Sequence, residues 1–204
     1  ASFLATLDLD NVTVTANSAA NFGGLVVSTN APVPGSQTIA NSIISGNAVT
    51  GVTADGAVGG VQFEGTNIFG SGFDLSGANG TYIVADAAAV FDATVALTGG
   101  VGGALQDNGG PVQTVALLAT GPAVDAGDGS LLPADAQDLD GDGDRAEAVP
   151  LDADGNARIF GSAVDLGAVE QGPAFEVTTM LDDSFDGLTL AQEAADGGGL
   201  SLRE

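Results

Sequence analysis

The chain has 204 residues, room for one ordinary domain and a small second one. It carries 27 carboxylates against three arginines (Arg145, Arg158 and Arg203) and no lysine, a formal charge of -24 that repels nucleic acid and anionic membranes, because phosphate binding needs Lys and Arg. Cys and His are both absent, which excludes a disulfide framework, a Cys/His zinc site and any nucleophile activated by His.

Hydrophobic residues make up 44% of the chain, enough for a sizeable core, but aromatics only 5%. The 32 glycines follow no triplet period, so they point to many tight turns rather than to a collagen-like fibre. No apolar run reaches the roughly 18 residues of a membrane span, so membrane insertion is not expected. An acidic surface of this kind suits salty or calcium-rich surroundings, where cations screen or bridge the carboxylates. The opening "ASFLATLDLDNVTV" starts in a strand pattern, which predicts a fragment or processed piece of something longer.

Residues 1–95 read as short strands. "ATLDLDNVTVTA", "GGLVVST", "QTIANSIISG", "GGVQFEGTNIFG" and "TYIVAD" alternate, and clusters of Gly, Asn, Ser and Pro separate them. Two heptads share the form N-x-[VI]-x-x-x-N: "NVTVTAN" from Asn11 and "NSIISGN" from Asn41. A third Asn-led phrase follows at Asn67, giving intervals of 30 and 26 residues. A period between about 20 and 50 residues marks a solenoid, in which each coil pairs with the coils above and below. Equivalent Asn side chains then stack and hydrogen-bond to their own copies, since an amide offers both donor and acceptor. The competing explanation is turn Asn recurring by chance in a β-sandwich.

Residues 96–172 change character. Gly and Pro surround one apolar run, "VQTVALLA", expected to plug the apolar end of the stack, and an acidic loop-rich block follows. Residues 173–204 begin with a strand-like run, "FEVTTML" (Phe175 to Leu181), and continue into a short helical pattern, "LTLAQEAA".

The sharpest chemical motif is "DLDGDGDRAE". Asp138, Asp140 and Asp142 stand at positions 1, 3 and 5 and Gly143 at position 6, the first half of an EF-hand-type calcium loop. Asp144 offers its backbone carbonyl at position 7. Position 12 is Val149 rather than Glu, so Glu147, Asp152 or Asp154 has to substitute. Eight carboxylates and one Arg lie between Asp135 and Asp154, a density that a hard cation taking six to eight oxygens resolves. The alternative is a solvated acidic loop. Magnesium fits less well, because it prefers few protein ligands and several waters. No G-x-x-x-x-G-K-[ST] occurs, so the Gly-rich stretches read as turns, not as phosphate cradles.

"ALQDNGGPVQTVALLATGPAVDAGD", followed by "DLDGDGDRAEAVPLDADGNARIFGSAVDLGAVE", resembles the C-terminal part of bacterial surface proteins of the choice-of-anchor Q type. Asn108 to Pro111, Thr114, Leu117, Pro122 to Gly127, Gly155, Arg158 and Val164 to Glu170 carry the likeness. At Thr120-Gly121 that family more often has Gly-Ser. The resemblance implies an all-β, right-handed parallel β-helix with a closing segment, in which Arg158 pairs with Asp165 or another buried carboxylate. The tail, "FEVTTMLDDSFDG…LSLRE", is similar to the opening cap of β-helix passengers, V-T-T…S-L-R-E. Three regions follow: coils at 1–95, a calcium-binding closing segment at 96–172, and at 173–204 a strand–helix cap beginning the next repeat.

The expected function is a non-catalytic, calcium-stabilised structural or adhesive module of a secreted or cell-surface bacterial protein. A polysaccharide or other surface ligand is a further expected partner. Head-to-tail assembly into a homo-oligomer or filament is expected if Phe175 to Leu181 pairs with the open coil of the next copy. A β-helix lyase, epimerase or hydrolase acting on polysaccharide is the rival reading. Against it stand the few aromatics, the scarcity of cations and the absence of His, while the abundance of acids makes any paired-carboxylate hydrolase site uninformative.

Overall fold

The alternating runs Leu7–Asp10 (β1) and Gln37–Ala40 (β5) lie side by side as parallel strands, with Leu7 level with Gln37 and Asp10 with Ala40. Thr13–Val14 (β2) pairs in the same sense with Ile43–Ile44 (β6), and Ser18–Ala19 (β3) with Ala48–Val49 (β7), all at one offset of 30 residues. The computed structural model describes residues 7–28, 37–50 and 56–172, with the backbone alone at 28, 56–60, 77 and 78. The described residues up to Gln171 belong to one compact unit. The strand expected at 175–181 and the helix and cap expected within 173–204 lie outside the described residues.

The long strand Gly56–Phe69 (β8) runs past two short ones: Thr38–Ala40 pair with Gln62–Glu64, and Ile43–Ile44 with Ile68–Phe69. Val26–Ser28 (β4) pairs near the start of β8, and Phe73–Val84 (β9) lies parallel to it with three register shifts. The result is a seven-stranded parallel sheet ordered β1-β5-β8-β6-β2, with β4 and β9 also on β8. β5 and β6 lie end to end along the edge of β8 opposite β9, and β1 and β2 lie end to end beyond them, so the turns between β1 and β2 and between β5 and β6 are stacked where the sheet curls. Among the described residues the regular structure is almost all strand, an all-β architecture.

The curl has a backbone cause. Asn11 and Asn41 adopt the left-handed conformation (φ 52° and 45°), and Gly65 does the same at 58°. The pairings of Asp10 with Ala40 and of Ala40 with Glu64 set these three corners at one level. Asn tolerates this conformation because its short amide bonds locally, and Gly because it has no Cβ. A second corner stacks Ala16 (φ 60°) on Gly46 (φ 71°), the Ala16 amide donating to the Gly46 carbonyl at 3.0 Å.

The recurring Asn phrase therefore has two explanations. Asn17 Nδ2 donates to Asn47 Oδ1 at 3.0 Å, the stacked amide pair that the recurrence predicts. Asn11 and Asn41 are stacked in register, but their amides turn to a different part of the chain, described below. Asn67 is not a third corner. It sits two residues beyond the corner held by Gly65, fully buried, accepting from the Ser42 amide and donating to the Ile39 and Glu64 carbonyls.

Alternation sends neighbouring residues to opposite faces of the curled sheet. Ile44 and Phe69 join Ile39, Val61, Phe63 and Phe73 in one cluster, where the rings of Phe63 and Phe69 stack at 4.8 Å. Ile43 and Ile68 face a second cluster with Val90, Phe91, Val115, Leu117, Leu166 and Val169. Residues from beyond 96 thus share a core with the strands. The run "VQTVALLA" buries Val115 and Leu117 there, held by isolated bridges of Thr114 to Gln106 and of Leu117 to Phe91 rather than as a continuous strand. The single turn Ala87–Val90 (α1) and the antiparallel hairpin Thr94–Leu97 (β10) with Gly100–Gly103 (β11) lead into this segment. Among the described residues no helix is long and apolar enough to cross a membrane.

Candidate metal centre

The closing segment is fastened to the corners of the sheet. Asn41, with no exposed surface, accepts from the Asp128 amide at 2.9 Å and donates to the Asp128 carbonyl at 3.0 Å. Its own carbonyl accepts from Gly167 at 2.7 Å. Asn11 Nδ2 reaches the Asp165 carbonyl at 3.5 Å, and the hydroxyls of Thr13 and Thr15 accept from the amides of Ala168 and Gly103. Every one of these contacts joins residues far apart in sequence, so the segment is positioned by the strands.

Inside it lies a buried charged group. Arg158, 4% exposed, donates through Nη2 to the carbonyls of Gly167 (2.7 Å) and Asp165 (3.4 Å). Its Nη1 lies 3.2 Å from Glu170 Oε1, an ion contact rather than an aligned hydrogen bond. The carboxylate partner of Arg158 is therefore Glu170. Asp165 instead accepts from the amides of Asp125 and Gln171, both at 2.6 Å. Burial pushes Glu170 up to about 7, against the pull of the Asp165 amide and of Arg158, and it pushes Asp165 upward too. Asp125, which takes the amides of Ala163 and Ser162, is held below the usual carboxylate range by those bonds.

The acidic loop stands on a short antiparallel contact between Ala134 and Ala148. The Asp135 amide donates to the Glu147 carbonyl at 2.8 Å, and the Val149 amide to that of Pro133 at 2.9 Å. Between these anchors the chain doubles back on itself through Asp138 (φ 57°), Gly141 and Gly143. Asp138 Oδ1 accepts from the Gly143 amide at 3.0 Å, linking positions 1 and 6 of the motif. Asp140 accepts from Asp142, Asp142 from Asp144, and Asp144 from Ala146, each through its Oδ1.

These turns bring carboxylates together. One oxygen from each of Asp138, Asp140 and Asp142 lies within 4.8 Å of the other two. The same holds for Asp135, Asp140 and Glu147. Ligands bonded to one divalent ion at about 2.3–2.6 Å are at most about 5 Å apart, so either triplet has the span of a cation site. Loss of solvent first, then the surrounding carboxylates Asp142, Asp140, Asp144 and Asp135, raises the Glu147 carboxyl above its ordinary range.

Of the residues singled out by spacing, Asp138, Asp140, Asp142 and Glu147 fall within these triplets, and Asp144 caps the turn beside them. Asp152 and Asp154 are engaged elsewhere. Asp152 accepts from the amides of Asp154, Asn156 and Glu170, and Asp154 accepts from the Thr114 hydroxyl. Asp135 enters the centre although the motif does not include it. It precedes the first motif aspartate by three residues, and only the Ala134–Ala148 contact places it beside Glu147.

Compared with protein families, with curated proteins and with solved structures, the chain finds no match in any of the three.

Proposed function

We propose that this chain is a non-catalytic structural or adhesive module of a secreted or cell-surface bacterial protein, a right-handed parallel β-helix of the choice-of-anchor Q type whose closing segment is ordered by calcium. The observation that carries this reading is the convergence of Asp138, Asp140 and Asp142, at loop positions 1, 3 and 5, on a segment bonded to the corners of a curled parallel sheet. Calcium is the ion of choice because the ligands are hard carboxylate oxygens on a flexible turn, and because an extracellular setting supplies it at high concentration. Without it the mutual repulsion of the loop acids opposes closure, so ion binding and ordering of the segment are one equilibrium. The buried, fully committed position of Arg158 supports a structural rather than a substrate-binding role for that residue.

The scarcity of basic residues supplies a direct test. Arg145 is exposed within the acidic loop, Arg158 is buried, and there is no lysine. Trypsin should therefore cut after Arg145 when calcium is chelated, releasing fragment 1–145 from the remainder that begins at Ala146, and should cut there far more slowly in millimolar calcium. Equal cleavage rates in the two conditions would remove calcium from the proposal.

A further inference from the structure

We propose that the acidic loop holds two cations bridged by Asp140, an outer one between Asp138 and Asp142 and an inner one between Asp135 and Glu147. The proposal rests on the reading of the loop as a calcium site and deepens it. The two carboxylate triplets share Asp140 alone, and each already has the span of one ion.

The independent sign of a ligand is burial without a partner. Asp135 is 1% exposed. Its Oδ2 accepts from the Leu139 amide at 2.7 Å, while its Oδ1 is enclosed and receives no hydrogen bond. Glu147 Oε1 is enclosed in the same way, also with no donor. Both oxygens belong to side chains that each bring a carboxylate oxygen within 4.8 Å of Asp140, and in their ionised form such enclosed, undonated carboxylates call for a cation among them. Among the described residues no arginine stands in for it: Arg158 is committed to Glu170, and Arg145 makes no ion pair.

Charge agrees with the geometry. The five carboxylates Asp135, Asp138, Asp140, Asp142 and Glu147 carry five negative charges. One divalent ion would leave three uncompensated, and two would leave one. The two sites differ in access. Asp140 and Asp142 are exposed, so the outer ion keeps several waters, whereas the buried Asp135 gives the inner ion a drier and more fixed shell. A carboxylate that binds through both oxygens, as Asp140 would here, is an ordinary bridge between hard cations.

The test is the number of calcium ions bound by the whole chain, measured by titration calorimetry and equilibrium dialysis in physiological salt. Circular dichroism confirms that each variant stays folded. The expected result is two ions for the unaltered chain and one each for D135N, E147Q and the D138N/D142N double variant, with D140N weakening both sites. E147Q guards against loss of fold in D135N, because Glu147 is only partly buried. One ion in the unaltered chain, with D135N and E147Q leaving it in place, would overturn the second site and spare the calcium reading. No ion at all would overturn both.

Discussion

Asn41 holds Asp128 at both of its backbone polar groups. The side-chain oxygen takes the amide at 2.9 Å and the side-chain nitrogen gives to the carbonyl at 3.0 Å, across 87 residues of chain. A residue chosen for its tolerance of a left-handed corner thus also carries the contact that joins the strands to the closing segment.

Removal of that amide should be expensive. Asn41→Ala leaves the Asp128 amide without its partner, leaves the Asp128 carbonyl only the Leu131 amide, and puts a Cβ-bearing residue with no local hydrogen bond at φ 45°. The expected loss is about 2–4 kcal/mol of unfolding free energy. Asn41→Gly loses the same bonds without the backbone penalty and should be about 1 kcal/mol less damaging. Urea unfolding of the three proteins ranks them.

Gly102 is constrained by space rather than by φ. A Cβ there would lie 2.5 Å from Ala16 Cα and 2.8 Å from Ala16 Cβ, so the hairpin β10–β11 would have to lift from the second corner. Gly102→Val should cost about 1–3 kcal/mol, as overpacking of a well-fitted interior does. Gly109, whose Cβ would meet nothing within 4 Å, is no control because its φ is +89°; Gly172, with open space and no positive φ, is. Melting of G102V and G172A checks the contrast.

The buried ion contact should behave asymmetrically. Arg158→Leu leaves Glu170 enclosed with no opposing charge and should destabilise by roughly 3–5 kcal/mol. The double change R158L/E170L removes both charges and should lose less than R158L alone, a coupling of about 0.5–3 kcal/mol in a double-mutant cycle. Simple additivity in that cycle would mean that the 3.2 Å contact carries no net interaction.

Glu170 also predicts a pH dependence with a defined sign. Its carboxyl rises from an ordinary 4.5 to about 7 because burial disfavours the charged form. Folding therefore favours the protonated acid, and this contribution is whole below 4.5 and is lost as pH rises through 7. Relative to E170Q, the unaltered chain should lose stability across that interval. A side-chain titration followed by NMR should place the Glu170 midpoint near 7.

Much of the strand organisation was legible in the sequence, since the 30-residue recurrence of the Asn phrases is the offset at which β1, β2 and β3 pair with β5, β6 and β7. The interval to Asn67 misled, because a corner needs only left-handed backbone, which Gly65 supplies, and a buried Asn can serve inward bonding instead. The D-x-D-x-D-G spacing revealed three carboxylates that do converge, because local turns bring them together. Asp135 was invisible as a member of the carboxylate cluster, and so was the engagement of Asp152 by backbone amides and of Asp154 by the Thr114 hydroxyl. Those placements depend on the Ala134–Ala148 contact and on bonds to Glu170 and Thr114, which no spacing along the chain encodes.

A cation that completes the closing segment should stabilise the folded chain, and thermal unfolding with and without calcium tests this most directly. An ion that binds only the folded chain, present at about 100 times its dissociation constant, adds about 2.7 kcal/mol. For a chain of this length that should raise the midpoint by roughly 5–10 °C over the same protein in EGTA. The predicted rise should shrink in D138N/D142N. An identical midpoint in calcium and in EGTA would contradict the account.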